Sequence, residues 1–440
     1  MKMNYSILKI TYFFIVFSCA LSSAQAQEVL TVEEAVGIAL ENNYDIRLAK
    51  NNLQIDAEGV SLGYAGILPS VLASVTDDNN IQDISQVRSD GTLRELNNGK
   101  NNNLNYGVNL DWTIFDGFGM FARYDRLKEL KNLGATQLKQ SILDRVGNVM
   151  ITYFEIVQQK QELSALDSTL VISKQRVEFA QNRFTIGKAS KLEVLNAQVD
   201  LNTDQTLLLR QIELYANTKT RLNEIMARDT QTEFTVVEAL LVDKSLQLQE
   251  LVALANDQNP ELQAQLINKR IAELEFKRIR ANRYPVLVGT TGYNFNESES
   301  SLGFTSSNSS QGFNYGFTAS VNIFDGFTQN RDEKIAKLQI ENSAIVIEQQ
   351  LQTLQSQLAT AYQTYLTNVR LIDLEQRNEA IAKENLDITL EKFTIGTIPT
   401  IEFRTAQLNY INAKVRYSQA IYQAKLSEVT LKQLAGNLSL

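Results

Sequence analysis

Residues 104–114 alternate without a break. Leu104, Tyr106, Val108, Leu110, Trp112 and Ile114 are apolar, and Asn105, Gly107, Asn109, Asp111 and Thr113 lie between them. The same phase returns in Phe313, Tyr315, Phe317, Ala319, Val321 and Ile323 against Asn314, Gly316, Thr318, Ser320 and Asn322. A period of two sends successive side chains to opposite faces, so each run predicts a strand with one apolar and one polar face. About ten residues is the length a tilted strand needs to cross an outer membrane. Each run has an earlier, weaker companion opened by Pro69 or Pro285. Proline suits the first residue of a strand, where the missing N–H does least harm. Strands are therefore expected at about 69–77, 104–115, 285–296 and 313–324, with surface loops in the Asn/Asp/Ser/Gly-rich segments at about 78–103 and 297–311. A soluble sheet with one wet face has the same alternation.

Between the strands the period lengthens. From about 119 to 183 there is no proline, and Ile142, Val149, Ile156, Leu163, Leu170, Val177 and Phe184 recur every seven residues. A second row is Leu351, Leu358, Tyr365, Ile372, Glu379, Leu386 and Phe393, with one failure at Glu379. A sustained seven-residue row is a coiled-coil seam. Long helices are expected at about 119–183 and 328–392, each about 100 Å long at 1.5 Å per residue. Residues 44–66 and 190–226, and again 261–283 and 400–435, read as shorter helices that could stack end to end beside them. Residues 229–259 read as an irregular linker with short helical pieces.

Both patterns obey one offset. Asn105, Tyr106 and Gly107 return as Asn314, Tyr315 and Gly316, each 209 residues on. Phe115, Asp116 and Gly117 return as Phe324, Asp325 and Gly326, and Phe184 to Gly187 as Phe393 to Gly396. An offset held over this span marks a duplicated unit whose internal length is fixed by structure. The predicted organisation is a first copy over 27–228, the linker at 229–259 and a second copy over 260–440.

Residues 1–26 read as a secretory signal: Lys2 and Lys9, an apolar run from Ile10 to Leu21, then Ala24 and Ala26 as a small-residue cleavage site. The leader and the membrane-crossing strand length together favour a barrel wall over a soluble sheet. Cys19 is the only cysteine, so cleavage would leave no disulfide or thiolate site. The alternative makes Cys19 a lipid-modified first residue. Removing the leader's two lysines takes the net charge from −8 to −10, which argues against a nucleic-acid partner. There is no histidine, the commonest general base and metal ligand. No catalytic set, cofactor fingerprint or metal motif is found, and an enzyme is not expected.

Together these features make the chain resemble the TolC-type outer-membrane efflux proteins over essentially all of its mature length. The carrying residues are the two strands ending in Phe115, Asp116, Gly117 and Phe324, Asp325, Gly326, and the turns at Arg183–Gly187 and Lys392–Gly396. The resemblance implies a mainly α protein with membrane β: a trimeric twelve-stranded barrel and a long periplasmic coiled-coil tunnel, fed by an inner-membrane transporter through an adaptor. Strand closure points the same way, because four strands cannot close a barrel, and open edges are not tolerated in hydrocarbon. A homotrimer would supply twelve strands and a lumen lined by Asn, Ser and Thr.

The resemblance also implies roles for residues. Ile186, Gly187, Lys188, Ile395, Gly396 and Thr397 would be adaptor-docking tips, and Phe115–Gly117 and Phe324–Gly326 the strand-to-helix corners. Glu193, Glu402, Phe393 and Thr405 fall at the tunnel entrance. Plainer readings stand beside these: the glycines stop helices, Ser190 and Glu193 form a capping box, and Glu402 complements a helix dipole. The chain departs from the family where Thr405 stands for an acid, Ile398 for a basic gate partner and Phe393 for a tyrosine. Any closing network must therefore use other contacts. Thr113, Asn322, Phe118 and Phe327 replace the proline and second glycine usual around the corners. Trp112 reads either as an interfacial girdle residue or as strand packing. The expected function is a passive outer-membrane exit duct with a large periplasmic part. The rival is a coiled-coil adhesive surface protein, which would explain the helices but not the amphipathic strands.

Overall fold

The computed structural model describes residues 28–301 and 305–438. The predicted leader and Cys19 lie outside the described residues. The chain divides into two compact units, one of residues up to 50, 138–260 and 350 onward, the other of 51–137 and 261–349.

The second unit holds a four-stranded antiparallel sheet. Strands β2 (Ser70–Val87), β3 (Leu93–Asp116), β5 (Val286–Ser300) and β6 (Ser307–Ser320) pair in the order β2-β3-β5-β6. Both predicted loops are overturned: β2 and β3 pair through Asn80↔Asn101 and on to Val87↔Leu93, and β5 and β6 through Glu299↔Ser307. Ladder bonds use backbone groups that every non-proline residue carries, so a polar run with no apolar alternation still extends a hairpin. The last predicted strand also ends early, at Ser320. β5 begins at Val286, opposite Ser320, so residues 321–324 have no partner strand among the described residues. β3 continues to Asp116 because Val286 pairs with it there.

The helices follow the duplication: α1 (Val32–Asn42), α2 (Tyr44–Gly59), α3 (Gly119–Thr185), α4 (Lys191–Ile225), α5 (Leu248–Gln258), α6 (Pro260–Ala281), α7 (Thr328–Thr394) and α8 (Thr400–Leu434). α3 and α7 have 67 residues each and α4 and α8 have 35 each. Among the described residues no helix is long and apolar enough to cross a membrane. α2 ends at Gly59, short of the expected 66, in a turn where Gly66 takes a φ of 76°. α1 was not anticipated; Thr31 and Glu34 give it a reciprocal capping box.

In the first unit, α3 packs on a core of Val149, Tyr153, Ile156, Leu222 and Met226. The linker joins it: β4 (Phe234–Val236) pairs in parallel with β1 (Glu28–Leu30), and the Tyr153 hydroxyl donates to Leu30 O at 2.8 Å. The second seven-residue row is a real seam, with Leu358, Tyr365, Ile372, Leu386 and Phe393 buried. The first is buried at Val149 and Ile156 but only half-buried at Leu163, Leu170 and Val177. Its place is taken by Leu166, Thr169, Ser173, Arg176 and Ala180, all buried and three or four residues apart.

Candidate functional site

Each long helix stops in the same turn. Gly187 N donates to Phe184 O at 3.0 Å and Lys188 N to Arg183 O at 2.8 Å; Gly396 N donates to Phe393 O and Thr397 N to Lys392 O, both at 3.0 Å. This bond pair requires a left-handed residue, and Gly187 and Gly396 have φ of 74° and 81°. A Cβ on either would meet nothing within 4 Å. Ile186, Lys188, Ile395 and Thr397 stand exposed beside them, so the six tip residues form two open turns.

The two corners share a local fold. Asp116 accepts from Met120 N at 2.9 Å and Asp325 from Gln329 N at 2.8 Å, each capping the helix that follows. Gly117 and Phe118 both have positive φ, 70° and 68°, as do Gly326 and Phe327, 67° and 64°. Phe118 and Phe327 therefore occupy left-handed positions that favour glycine. The surroundings differ. A Cβ on Gly117 would lie 2.3 Å from Ala281 O, whereas one on Gly326 would meet nothing within 4 Å. Arg123 also ties the first corner down, to Asp116 at 2.9 Å and Ala65 O at 3.0 Å. Its counterpart 209 residues on is Asp332. Trp112 donates to Ile67 O at 2.9 Å while remaining partly exposed, so it packs and faces outward together.

Beyond the tips the two copies meet. Ser190 caps α4 by accepting from Glu193 N at 3.3 Å, but the expected reciprocal bond is missing. Glu193 Oε1 instead accepts from Thr400 Oγ1 at 2.5 Å, at the start of α8. Phe393 is buried in a three-ring cluster, stacked on Phe403 at 4.8 Å and 9° and tilted against Phe179 at 4.9 Å and 54°. Tyr410 packs beside them; burial, and then the charges of Glu379 and Asp387, raise its phenol above the ordinary range. Glu402 and Thr405 do not join this neighbourhood and stay on the exposed side of α8.

One turn further along α8, Arg404 inserts between α3 and α4. Its Nη1 and Nη2 donate to Asp204 Oδ2 and Oδ1, both at 2.8 Å. Ser173 Oγ donates to Asp204 Oδ2 at 2.5 Å, and Gln407 Nε2 donates to Ser173 Oγ at 3.0 Å and Thr169 O at 3.3 Å. Arg176 pairs with Asp200, whose other oxygen lies 3.8 Å from Arg404 Nε. Arg176 and Asp204 are each 2 % exposed. The fork-on-carboxylate pair holds these buried charges in one geometry, although among the described residues Arg176 Nε and Nη1 and Arg404 Nε are buried without a hydrogen-bond partner. The sequence did not single out Arg176, Asp200, Asp204 or Arg404. The available signal was polar Thr169, Ser173 and Arg176 at seam spacing between Leu166 and Ala180, where a coiled coil asks for apolar side chains.

Comparison with known proteins identifies the family. Residues 35–228 and 251–437 match the family described as Outer membrane efflux protein. The chain is 24 % identical over 432 residues to the outer membrane protein TolC of Vibrio cholerae, covering 95 % of this chain and 93 % of that protein. It is 21 % identical over 412 residues to protein CyaE of Bordetella pertussis, covering 93 % and 84 %. The fold is shared with the CmeC outer membrane channel of Campylobacter jejuni, at a TM-score of 0.78 and 18 % identity over 92 % of this chain and 85 % of that one. The chain belongs to the TolC-type outer membrane efflux protein family and is not an enzyme.

Proposed function

We propose that the chain is the exit duct of a tripartite efflux or secretion system, a homotrimer that conducts cargo passively from a periplasmic adaptor and an inner-membrane transporter to the exterior. The observation that carries this reading is the unfinished sheet. β2 and β6 are free edges of a sheet with an apolar outer face bearing Tyr315 and Phe317 and a polar face bearing Asn109, Asn294 and Asn314, whose amides bond to one another at 2.9–3.2 Å. Edge groups left unpaired in hydrocarbon are unsustainable, so three such sheets close one barrel. The corners support the same closure: the segment leading into β5 covers Gly117, and Gly326 awaits the segment leading into β2 of a second copy.

The contacts between the two copies supply the closing network that the missing basic gate residue and tyrosine leave open. Thr400–Glu193, the Phe179–Phe393–Phe403 cluster and the Arg404–Asp204 pair hold α8 against α3 and α4 in the resting duct. Glu193 and Phe393 act in that lock, and Glu402 and Thr405 line the entrance. The Gly187 and Gly396 turns receive the adaptor, because their exposed backbone lets a helical hairpin approach closely.

The test is native mass spectrometry in mild detergent with planar-bilayer recording of the same sample. Trimers with discrete conductance steps are expected; folded monomers or silent bilayers refute the duct and leave a surface adhesin. For docking, Gly396→Trp is expected to abolish drug export from cells while trimers still assemble, and unchanged resistance would remove Gly396 from the adaptor site.

A further inference from the structure

The lock has an empty twin. Moving Thr169, Ser173, Arg176, Asp200 and Asp204 forward by 209 residues gives Asn378, Ala382, Asn385, Asn409 and Ala413. These five, with Ile381, Asn412 and Arg416, line an open cavity of about 400 Å³ between α7 and α8. In the first copy the corresponding groove is filled by Arg404 and Gln407 of α8. In the second no described residue fills it, and Asn385 and Asn409 are exposed where Arg176 is buried.

We infer that this amide-lined groove is the seat of α4 of a second copy, which brings Leu195 and Gln198 to the places that Arg404 and Gln407 hold within the chain. This rests on the trimeric reading above. α4 is the counterpart of α8, and a ring built from repeated units must place the first copy of one chain against the second copy of its neighbour. Leu195 and Gln198 are exposed in the single chain, as such an insertion requires.

Other contacts shift in the same way and find complementary partners. Phe179 against Phe393 becomes Ile388 against Phe184 of the second copy, two apolar side chains that are 47 % and 40 % exposed in the single chain. Glu193 against Thr400 becomes Glu402 against Lys191 of the second copy, opposite charges that are both exposed. The seam inside the chain is held by buried ion pairs. The seam between chains has amides, apolar contacts and a solvated charge pair in their place, so the entrance opens at the seams between chains.

The test uses Gln198→Cys with Ala382→Cys, the counterparts of Gln407 and Ser173, in a Cys19→Ala background free of other thiols. A short bismaleimide applied to purified trimers is expected to give covalent dimers and trimers on a denaturing gel, with each single variant unlinked. Leu195→Cys with Ala413→Cys is expected to behave alike, and Ser173→Cys with Gln407→Cys to stay at monomer mass. Trimers by native mass spectrometry with no covalent link in either pair between copies overturn the groove assignment and leave the trimer standing. Absence of trimers refutes the underlying reading instead.

Discussion

Gly117 and Gly326 stand at the same place in two copies of one corner, yet a methyl group on the first would strike Ala281 O and on the second would touch nothing. The grooves near the tips differ in the same sense. Ser173, Arg176, Asp200 and Asp204 are closed over by Arg404 and Gln407, while Asn385 and Asn409 are exposed along an open cavity whose wall also includes Ala382 and the buried Ala413. Local geometry is preserved at every one of these points, including both corner Asp caps and both tip bond pairs. What has diverged is the chemistry of the surface that each copy offers to the next. Within the chain that surface carries buried charge, which fixes one register at a high penalty for misfit. At the second copy it carries mainly amides and small side chains, with Ile381 and with Arg416 already paired to Glu375 at 3.1 Å, and the amides can bond to a partner or to water with little difference in energy. A duct that must hold its shape and still open would separate these two properties in this way.

The largest effect is expected from breaking the charged side of the contrast. Arg404→Met leaves Asp204 buried without its fork and should lower stability by about 3–5 kcal/mol. Thermal unfolding should fall by several degrees, and channels that do assemble should leak at rest in bilayer recordings. Asn409→Ala, at the counterpart of Asp200, should change stability by no more than about 0.5 kcal/mol. Equal melting of the two variants would remove the distinction between the grooves.

The corners give the next test. Gly117→Ala combines a positive φ with a collision against backbone, and this variant should fail to fold. Gly326→Ala carries only the left-handed penalty of about 1–2 kcal/mol within one chain. If the neighbour's lead-in segment covers Gly326, the variant should fold as a monomer and assemble poorly, which native mass spectrometry separates from misfolding. Normal trimers from Gly326→Ala would leave that face uncovered.

How far the sequence carries the fold depends on whether each feature is periodic. The strand cores, the long helices and the tips were legible because alternation, seven-residue spacing and a fixed offset are linear signals. The hairpin extensions through Asn80 and Asn101 were not, since backbone ladder bonds leave no trace in side-chain polarity. The contacts where the two copies meet were half legible: Phe393 and Glu193 were expected near the end of the long helices and take part in these contacts, but Glu193 looked like a capping residue and in fact accepts from Thr400. Arg404 and Asp204 are 200 residues apart, and a pair of that separation has no local pattern to betray it.

Transplanting charge should shift the balance between the seams by a smaller amount. Leu195→Arg with Ala413→Asp recreates Arg404 and Asp204 at the predicted contact between copies. The double variant should assemble normally and open less often, seen as fewer conducting events and weaker dye efflux. Each single variant should open at least as readily as the parent, because a lone buried charge weakens the contact it enters. A double variant that opens like the parent would place Leu195 and Ala413 apart.

The smallest effects come from the two contacts at the start of α4 and α8, and they distinguish the seams by their response to salt. Thr400→Val removes the hydroxyl that Glu193 accepts from, a bond worth about 0.5–1.5 kcal/mol. In a double-mutant cycle with Glu193→Ala, the coupling read from open probability should be modest and nearly the same at 0.1 and 1 M salt, because one partner is neutral and the pair is partly buried. The corresponding cycle of Glu402→Gln with Lys191→Gln tests an exposed pair of full charges. Its coupling should be measurable at about 0.1 M salt and vanish at about 1 M, where the screening length falls to about 3 Å. Removing Lys191 alone should also raise cation selectivity, since it frees three carboxylates at a narrow mouth. A salt-independent coupling between Glu402 and Lys191 would mean that they never face one another, and the seam between copies would then have to be drawn through other residues.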